Sequence, residues 1–177
     1  MRLFIAIDLS RIGQELQRLQ SQIDESAATL KKTDTYHLTL KFLGKVSEEN
    51  ADHVKEKLRQ VDFNPFKLSL DKVGTFPNED FIRVIWIGIK PSKEIVALQE
   101  KIEKALEEFN FKKDYEFSPH ITLARVKMVN DRDAFKKNMK ELTLPENSVQ
   151  VTDFRLICSK LTPKGPIYED VEVYKAG

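Results

Sequence analysis

Cysteine is nearly missing from this chain of 177 residues, which has Cys158 and no other. One thiol cannot close an internal disulfide, and Cys158 has no Cys or His partner at metal-ligand spacing. A disulfide scaffold and a small zinc fold are therefore excluded, and a reducing cytoplasm is the expected setting. Long apolar runs are missing too. Nothing approaches the roughly 20 residues needed to span a bilayer, so no membrane association is expected. The stretch from Leu3 to Leu9 is broken by Asp8, is too short for a secretion signal and alternates like a strand. An excess of either charge is also lacking: 29 Lys+Arg against 28 Asp+Glu leave a formal net charge of +1. No global field then attracts a polyanion, so any nucleic acid must be gripped by a local patch. Few Cys and Met beside many Lys and Glu lean towards a thermophilic source.

What is present is enough for one core, since 41% of the residues are hydrophobic. Arg2 to Asp8 alternates as a strand. Ile12, Leu16, Leu19, Ile23 and Leu30 then follow helical spacing after Ser10, read as an N-cap. Tyr36 to Leu43 is a strand ended by Gly44, Ser47 caps a helix through Ala51, Val54, Leu58 and Val61, and Phe66 to Val73 is another strand. The order then repeats. Phe81 to Ile89 is a strand, and a helix carries Ile95, Leu98, Ile102, Ala105, Leu106 and Phe109. Phe117 to Val126 is a strand, and Asp131 caps a helix with Phe135, Met139 and Leu142. Strands at Val149–Cys158 and Tyr168–Tyr174 complete the chain. This predicts one α+β domain over 1–177 with an internal pseudo-repeat of roughly 1–80 and 81–177. Each lobe is a mostly antiparallel sheet with outer helices, and a cleft lies between the lobes.

Two of the three histidines head the same tetrad, His37-Leu38-Thr39-Leu40 and His120-Ile121-Thr122-Leu123, 83 residues apart. The same offset aligns the first strand near Leu3 with the strand at Trp86. At average composition a given histidine has this context in roughly one case in 200. On a strand, alternate side chains share a face. Leu38, Leu40 and Phe42 then enter the core, while His37, Thr39 and Lys41 look the other way. His120 and Thr122 pair likewise, and Arg125 falls by parity on the face away from His120 unless a bulge intervenes. Each tetrad thus offers an imidazole and a hydroxyl roughly 6–7 Å apart at about 3.3 Å per residue, suited to one phosphate group. Two imidazoles in one cleft can divide general base and general acid work near neutral pH. For a 2′,3′-cyclic phosphate, one activates water and the other protonates the departing ribose oxygen. Thr39 and Thr122 hold the non-bridging oxygens, and neither metal nor cofactor is required. Near-symmetry leaves the acid and base labels open at this point.

These segments resemble the 2H phosphoesterase superfamily, in its branch of RNA 2′,3′-cyclic phosphodiesterases, also called 2′-5′ RNA ligases (the LigT/ThpR group). The resemblance runs from Arg2-Leu3-Phe4-Ile5-Ala6-Ile7 through His37 to Gly44, Arg83 to Trp86 and Ser118 to Arg125, ending near Gly165 to Glu169. It implies a LigT-like fold and opening of a terminal cyclic phosphate to leave a 2′-phosphate. It also implies His37 as proton donor, His120 as acceptor and Arg125 at a basic position that can pair with phosphate. RNA ends, tRNA fragments among them, are the implied partner, and a monomer is expected. Two other readings remain: a 2′-5′ RNA ligase or small cyclic-nucleotide phosphodiesterase, and a non-catalytic RNA-end binding module. Product analysis separates hydrolysis from ligation, and tight binding without turnover would mark the binding module. Lys41 is a candidate charge on the site face, and Phe4, Phe42 and Tyr115 are candidates for stacking on a base against a role in the core. His53 reads as a solvated helix residue, and the Lys31-Lys32, Lys112-Lys113 and Lys136-Lys137 pairs as solvated helix ends or loops, or as contacts that track an RNA backbone where they line the cleft. Cys158 reads as buried, and Gly74 and Gly165 as turn residues.

Overall fold

A computed structural model describes all 177 residues. Nine strands and four α-helices form an α+β fold, and no helix is long and apolar enough to cross a membrane. The strands are β1 (Arg2–Asp8), β2 (Ala28–Lys32), β3 (His37–Lys45), β4 (Phe66–Pro77), β5 (Ile82–Ile89), β6 (His120–Val129), β7 (Ser148–Val151), β8 (Asp153–Thr162) and β9 (Gly165–Lys175). The helices are α1 (Gly13–Ser21), α2 (Glu48–Leu58), α3 (Lys93–Ala105) and α4 (Arg132–Glu141). All strand pairs are antiparallel, in the order β7-β4-β5-β6-β3-β1-β8-β9, with β2 added beside β6. The two expected sheets thus join edge to edge where β3 meets β6.

One face of this curled sheet takes all four helices. Leu16 and Leu19 of α1, Val54 and Leu58 of α2, Ile95, Leu98 and Ile102 of α3 and Phe135 of α4 pack there. They meet Leu3, Ile5, Ile7, Leu38, Leu40, Ile85, Ile87, Ile121 and Leu123 in a single core. Burial of this area is the main stabilising term. The other face is concave and free of helices, and its buried apolar cluster is small, Phe4, Ala6 and Ile157 with Tyr168 against it. Ser47 and Asp131 cap α2 and α4 as expected, accepting from the backbone N–H groups of Asn50 (3.2 Å) and Ala134 (3.0 Å).

The first half departs from its reading at several points. Ser10 caps no helix: it lies in a 3-10 turn and its hydroxyl donates to Asp8 at 2.9 Å. The helical spacing also ends at Ser21, because Leu30 belongs to β2, which pairs with β6. A five-residue strand is set by its neighbour across the sheet, and Leu30 shared the helical phase by coincidence. Lys31 and Lys32 are therefore strand residues. Gly74 lies within β4 rather than in a turn. Gly165 does follow the β8–β9 hairpin turn, with φ of +123°, and Cys158 is buried.

Candidate active site

Leu38 pairs with Ile121 where the two tetrads meet. One step along this antiparallel ladder in either direction sets His37 opposite Thr122 and Thr39 opposite His120. Each imidazole thus faces the other tetrad's hydroxyl. The two histidines are diagonal neighbours with Cα atoms about 7–8 Å apart, on the concave face. The four residues singled out from the sequence meet on one patch of sheet.

Each motif strand then carries a bulge. Thr39 and Lys41 pair with consecutive residues Ala6 and Ile5 of β1, leaving Leu40 extra. Thr122 and Ala124 pair with consecutive residues Trp86 and Ile85 of β5, leaving Leu123 extra. Two residues against one reverse the in–out alternation beyond that point. The simple parity reading therefore fails at three positions. Lys41 turns into the core and is 2% exposed, and it supplies no charge to the concave face. Phe42 leaves the core and is 68% exposed, on the same face as His37 and 6.1 Å from Phe4 ring to ring. Arg125 returns to the face of His120 and Thr122. The registers also place Ala6, not Leu3, in the position matching Trp86, since those two residues lie opposite Thr39 and Thr122.

Both bulges are held by polar groups from the other half's helices. Gln20 of α1 donates its amide N–H to the carbonyls of Leu123 (2.8 Å) and Thr33 (2.9 Å), while accepting from the Tyr36 hydroxyl (2.8 Å). The Lys41 ammonium donates to both Glu103 carboxylate oxygens (2.7 and 2.8 Å) and to the Lys112 carbonyl (3.0 Å). All three of its N–H bonds are thereby used.

The surroundings of the two imidazoles differ. His120 Nδ1 lies 2.8 Å from the Ser118 carbonyl oxygen. A carbonyl can only accept, so Nδ1 carries a proton, and whenever the ring is neutral its lone pair is on Nε2. The ring is wedged by Phe76 (5.1 Å) and Trp86 (6.1 Å). Trp86 in turn lies over Gly74, where a Cβ would run into the indole. Gly74→Ala is therefore expected to shift the emission of Trp86, the chain's single tryptophan, and to disturb His120. An unchanged spectrum would contradict this packing.

His37 is packed by Phe4 (5.7 Å) and Tyr168 (5.3 Å, rings perpendicular). Asp8 is its partner across the β1–β3 ladder. Arg155 bridges Asp8 (3.2 Å) and Asp170 (2.8 Å) nearby. Burial holds the His37 imidazole below the ordinary histidine value of 6.5, opposed by the negative charges of Asp8 and Asp170 and assisted by Arg155. The folded chain then binds fewer protons than the unfolded one below about pH 6.5. This contribution to stability is whole above that pH and is lost as pH falls through the folded value. An NMR titration of the imidazole protons should give His37 a midpoint under 6.5 that rises when inorganic phosphate is added. A midpoint at or above 6.5 in the free protein would contradict the assignment.

Trp86, Phe76, Tyr168, Asp8 and Arg155 were not singled out from the sequence. For Asp8 the signal was available, since it shares strand parity with Phe4 and Ala6. The others depend on pairing partners that no local pattern reveals. Tyr115 is fully out in a loop, His53 is exposed on α2, and Phe4 is buried against His37.

The model of LigT-like phosphoesterases matches this chain twice, at residues 7–86 and 87–168. An RNA 2′,3′-cyclic phosphodiesterase of Archaeoglobus fulgidus is 37% identical over 99% of this chain and 100% of its own length. One from Methanocaldococcus jannaschii is 36% identical over 97% and 99%. Among solved structures, one from Thermus thermophilus superposes with a TM-score of 0.81 at 29% identity, covering 99% of this chain and 97% of its own. E. coli LigT in complex with 3′-AMP gives 0.78 at 26% identity, covering 99% and 97%.

Proposed function

The chain belongs to the family of LigT-like phosphoesterases, and from that premise we propose that it hydrolyses 2′,3′-cyclic phosphate ends of RNA to 2′-phosphomonoesters, with His37 and His120 as its proton-transfer pair and without a metal. Relatives that match over their full length carry the name RNA 2′,3′-cyclic phosphodiesterase. The observation that carries the reading is the crossed register, which brings an imidazole and a hydroxyl from each of two paired strands together on one face of the sheet.

His120 is the base. Its Nδ1–H is committed to Ser118, so Nε2 takes a proton from water as that water attacks phosphorus. His37 is the acid and gives a proton to the departing 3′ oxygen. In the free chain burial favours its neutral form. The anionic cyclic phosphate favours the charged form, so binding substrate loads the acid. Thr39 and Thr122 donate hydroxyls to the non-bridging oxygens as charge grows there. Arg125, returned to this face by the Leu123 bulge, adds positive charge along the same strand. We also read the chain as one domain with a pseudo-repeat of roughly 1–80 and 81–177, supported by bulges at Leu40 and Leu123, each following its tetrad's threonine.

The test is incubation of the protein, in excess EDTA, with an RNA ending in a 2′,3′-cyclic phosphate. A 2′-phosphate product is expected. A lengthened strand would mark ligation instead, and loss of turnover on chelation would overturn the metal-free mechanism.

A further inference from the structure

The seam between the two lobes is short, since β3 and β6 share a single ladder pair, Leu38 with Ile121. One step along the same register sets His37 opposite Thr122, and the next sets Tyr36 opposite Leu123. At that second step a side chain, not a ladder pair, fastens the seam. Gln20 reaches in from α1 on the helix side of the sheet and is 4% exposed. Its carbonyl oxygen accepts from the Tyr36 hydroxyl at 2.8 Å. Its nitrogen donates to the Leu123 carbonyl at 2.8 Å and to the Thr33 carbonyl at 2.9 Å, so both amide hydrogens are used. The Leu123 carbonyl also accepts from the Thr33 backbone N–H at 2.9 Å, which fills its second lone pair. One planar amide thus ties the residue before His37 to the residue after Thr122. Tyr36 is buried as deeply as Gln20, so a lost bond there is not simply replaced by one to bulk water. The Tyr36 carbonyl in turn accepts from the Leu9 N–H at 2.8 Å, next to Asp8, the ladder partner of His37. The placement of His37 against Thr122 is therefore held by bonds that touch neither residue.

We propose that Gln20 is a positioning residue, which sets the distance from His37 to the phosphate held by Thr122 and so the reach of the proton donor. The proposal rests on the RNA phosphodiesterase reading above. Misplacing reacting groups by about 1 Å can cost a hundredfold in rate. The threonine hydroxyls stay on their own strands, so the loss should fall on kcat far more than on KM.

The experiment measures kcat and KM on a nucleoside 2′,3′-cyclic monophosphate for wild type, Gln20→Met and Tyr36→Phe, at a temperature where calorimetry finds all three folded. Gln20→Met keeps the length of the side chain without its hydrogen bonds. Tyr36→Phe cuts only the tie beside His37. With KM close to wild type, kcat should fall about 10–100-fold in the first variant and by a smaller factor in the second. Adding Gln20→Met to His37→Ala should cost nothing further, because an absent donor cannot be misplaced. A lower Tm with unchanged kcat, or a loss that multiplies with that of His37→Ala, would overturn the proposal and leave Gln20 a part of the scaffold. Should Gln20→Met fail to fold, Tyr36→Phe carries the same two tests. NMR of the His37 imidazole protons during saturation with inorganic phosphate decides the matter without turnover. Their shift should be smaller in Gln20→Met than in wild type, and an identical shift would overturn the proposal. Failure of wild type to hydrolyse the cyclic phosphate, with the NMR difference present, would count against the phosphodiesterase reading alone.

Discussion

Replacing His120 with alanine is expected to lower kcat on a cyclic-phosphate RNA by about 10²–10⁴-fold, the usual contribution of one positioned proton-transfer group. His37→Ala should cost a similar factor. The two effects should not multiply in the double variant, because one proton taken and one given belong to a single displacement and groups acting as a unit are non-additive. KM should change far less than kcat, since the hydroxyls of Thr39 and Thr122 still hold the phosphate. His120→Asn is a sharper probe than alanine. Its amide N–H can still donate to the Ser118 carbonyl, which His120 Nδ1 meets at 2.8 Å, yet asparagine cannot take a proton from water. Activity near wild type in any of these variants, by initial rates on purified folded protein, would remove the histidine pair from the chemistry.

Lys41→Met should be the most destabilising single change outside the apolar core. It strands the Glu103 carboxylate and the Lys112 carbonyl, which the buried ammonium now satisfies at 2.7–3.0 Å. Breaking one partner of a fully buried pair costs about 3–5 kcal/mol; the Glu103 side chain keeps 21% of its surface exposed, which puts the loss here at about 3 kcal/mol. For a chain of this size that lowers Tm by about 10 °C. The double variant Lys41→Met/Glu103→Gln removes the orphaned charge, keeps an acceptor for the Gln99 amide that now donates to Glu103 at 3.1 Å, and should recover most of the loss. Calorimetry on the three proteins checks this. A single variant as stable as wild type would mean that the pair contributes nothing net. A double variant no better than the single would mean that packing of the lysine stem, not charge, matters.

The sequence and the structure agree where local pattern governs. The two tetrads, the caps at Ser47 and Asp131 and most strands followed from periodicity and residue type, because alternation of apolar side chains is what folds them. The bulges did not. Leu38, Leu40 and Phe42 alternate so well that the run reads as a plain strand with Lys41 outward. The extra residue is visible only once β1 sets the register. That one hidden insertion misplaced Lys41 and Phe42, and its counterpart at Leu123 misplaced Arg125. The aromatic walls around the histidines come from strands that are neighbours in space alone: Tyr168 from β9 beside His37, Phe76 from β4 beside His120. The crossed pairing of each histidine with the other tetrad's threonine likewise needed the β3–β6 contact.

The roles of His120 as base and His37 as acid on one phosphate are read from the pH dependence of kcat/KM for a cyclic-phosphate RNA in wild type and in each histidine variant. Wild type should give a bell. The residual activity of His120→Ala should lose the acidic limb, since no base remains to be protonated, and that of His37→Ala should lose the alkaline limb. The opposite assignment of limbs would reverse the roles, and two variants that keep the full bell would contradict the account.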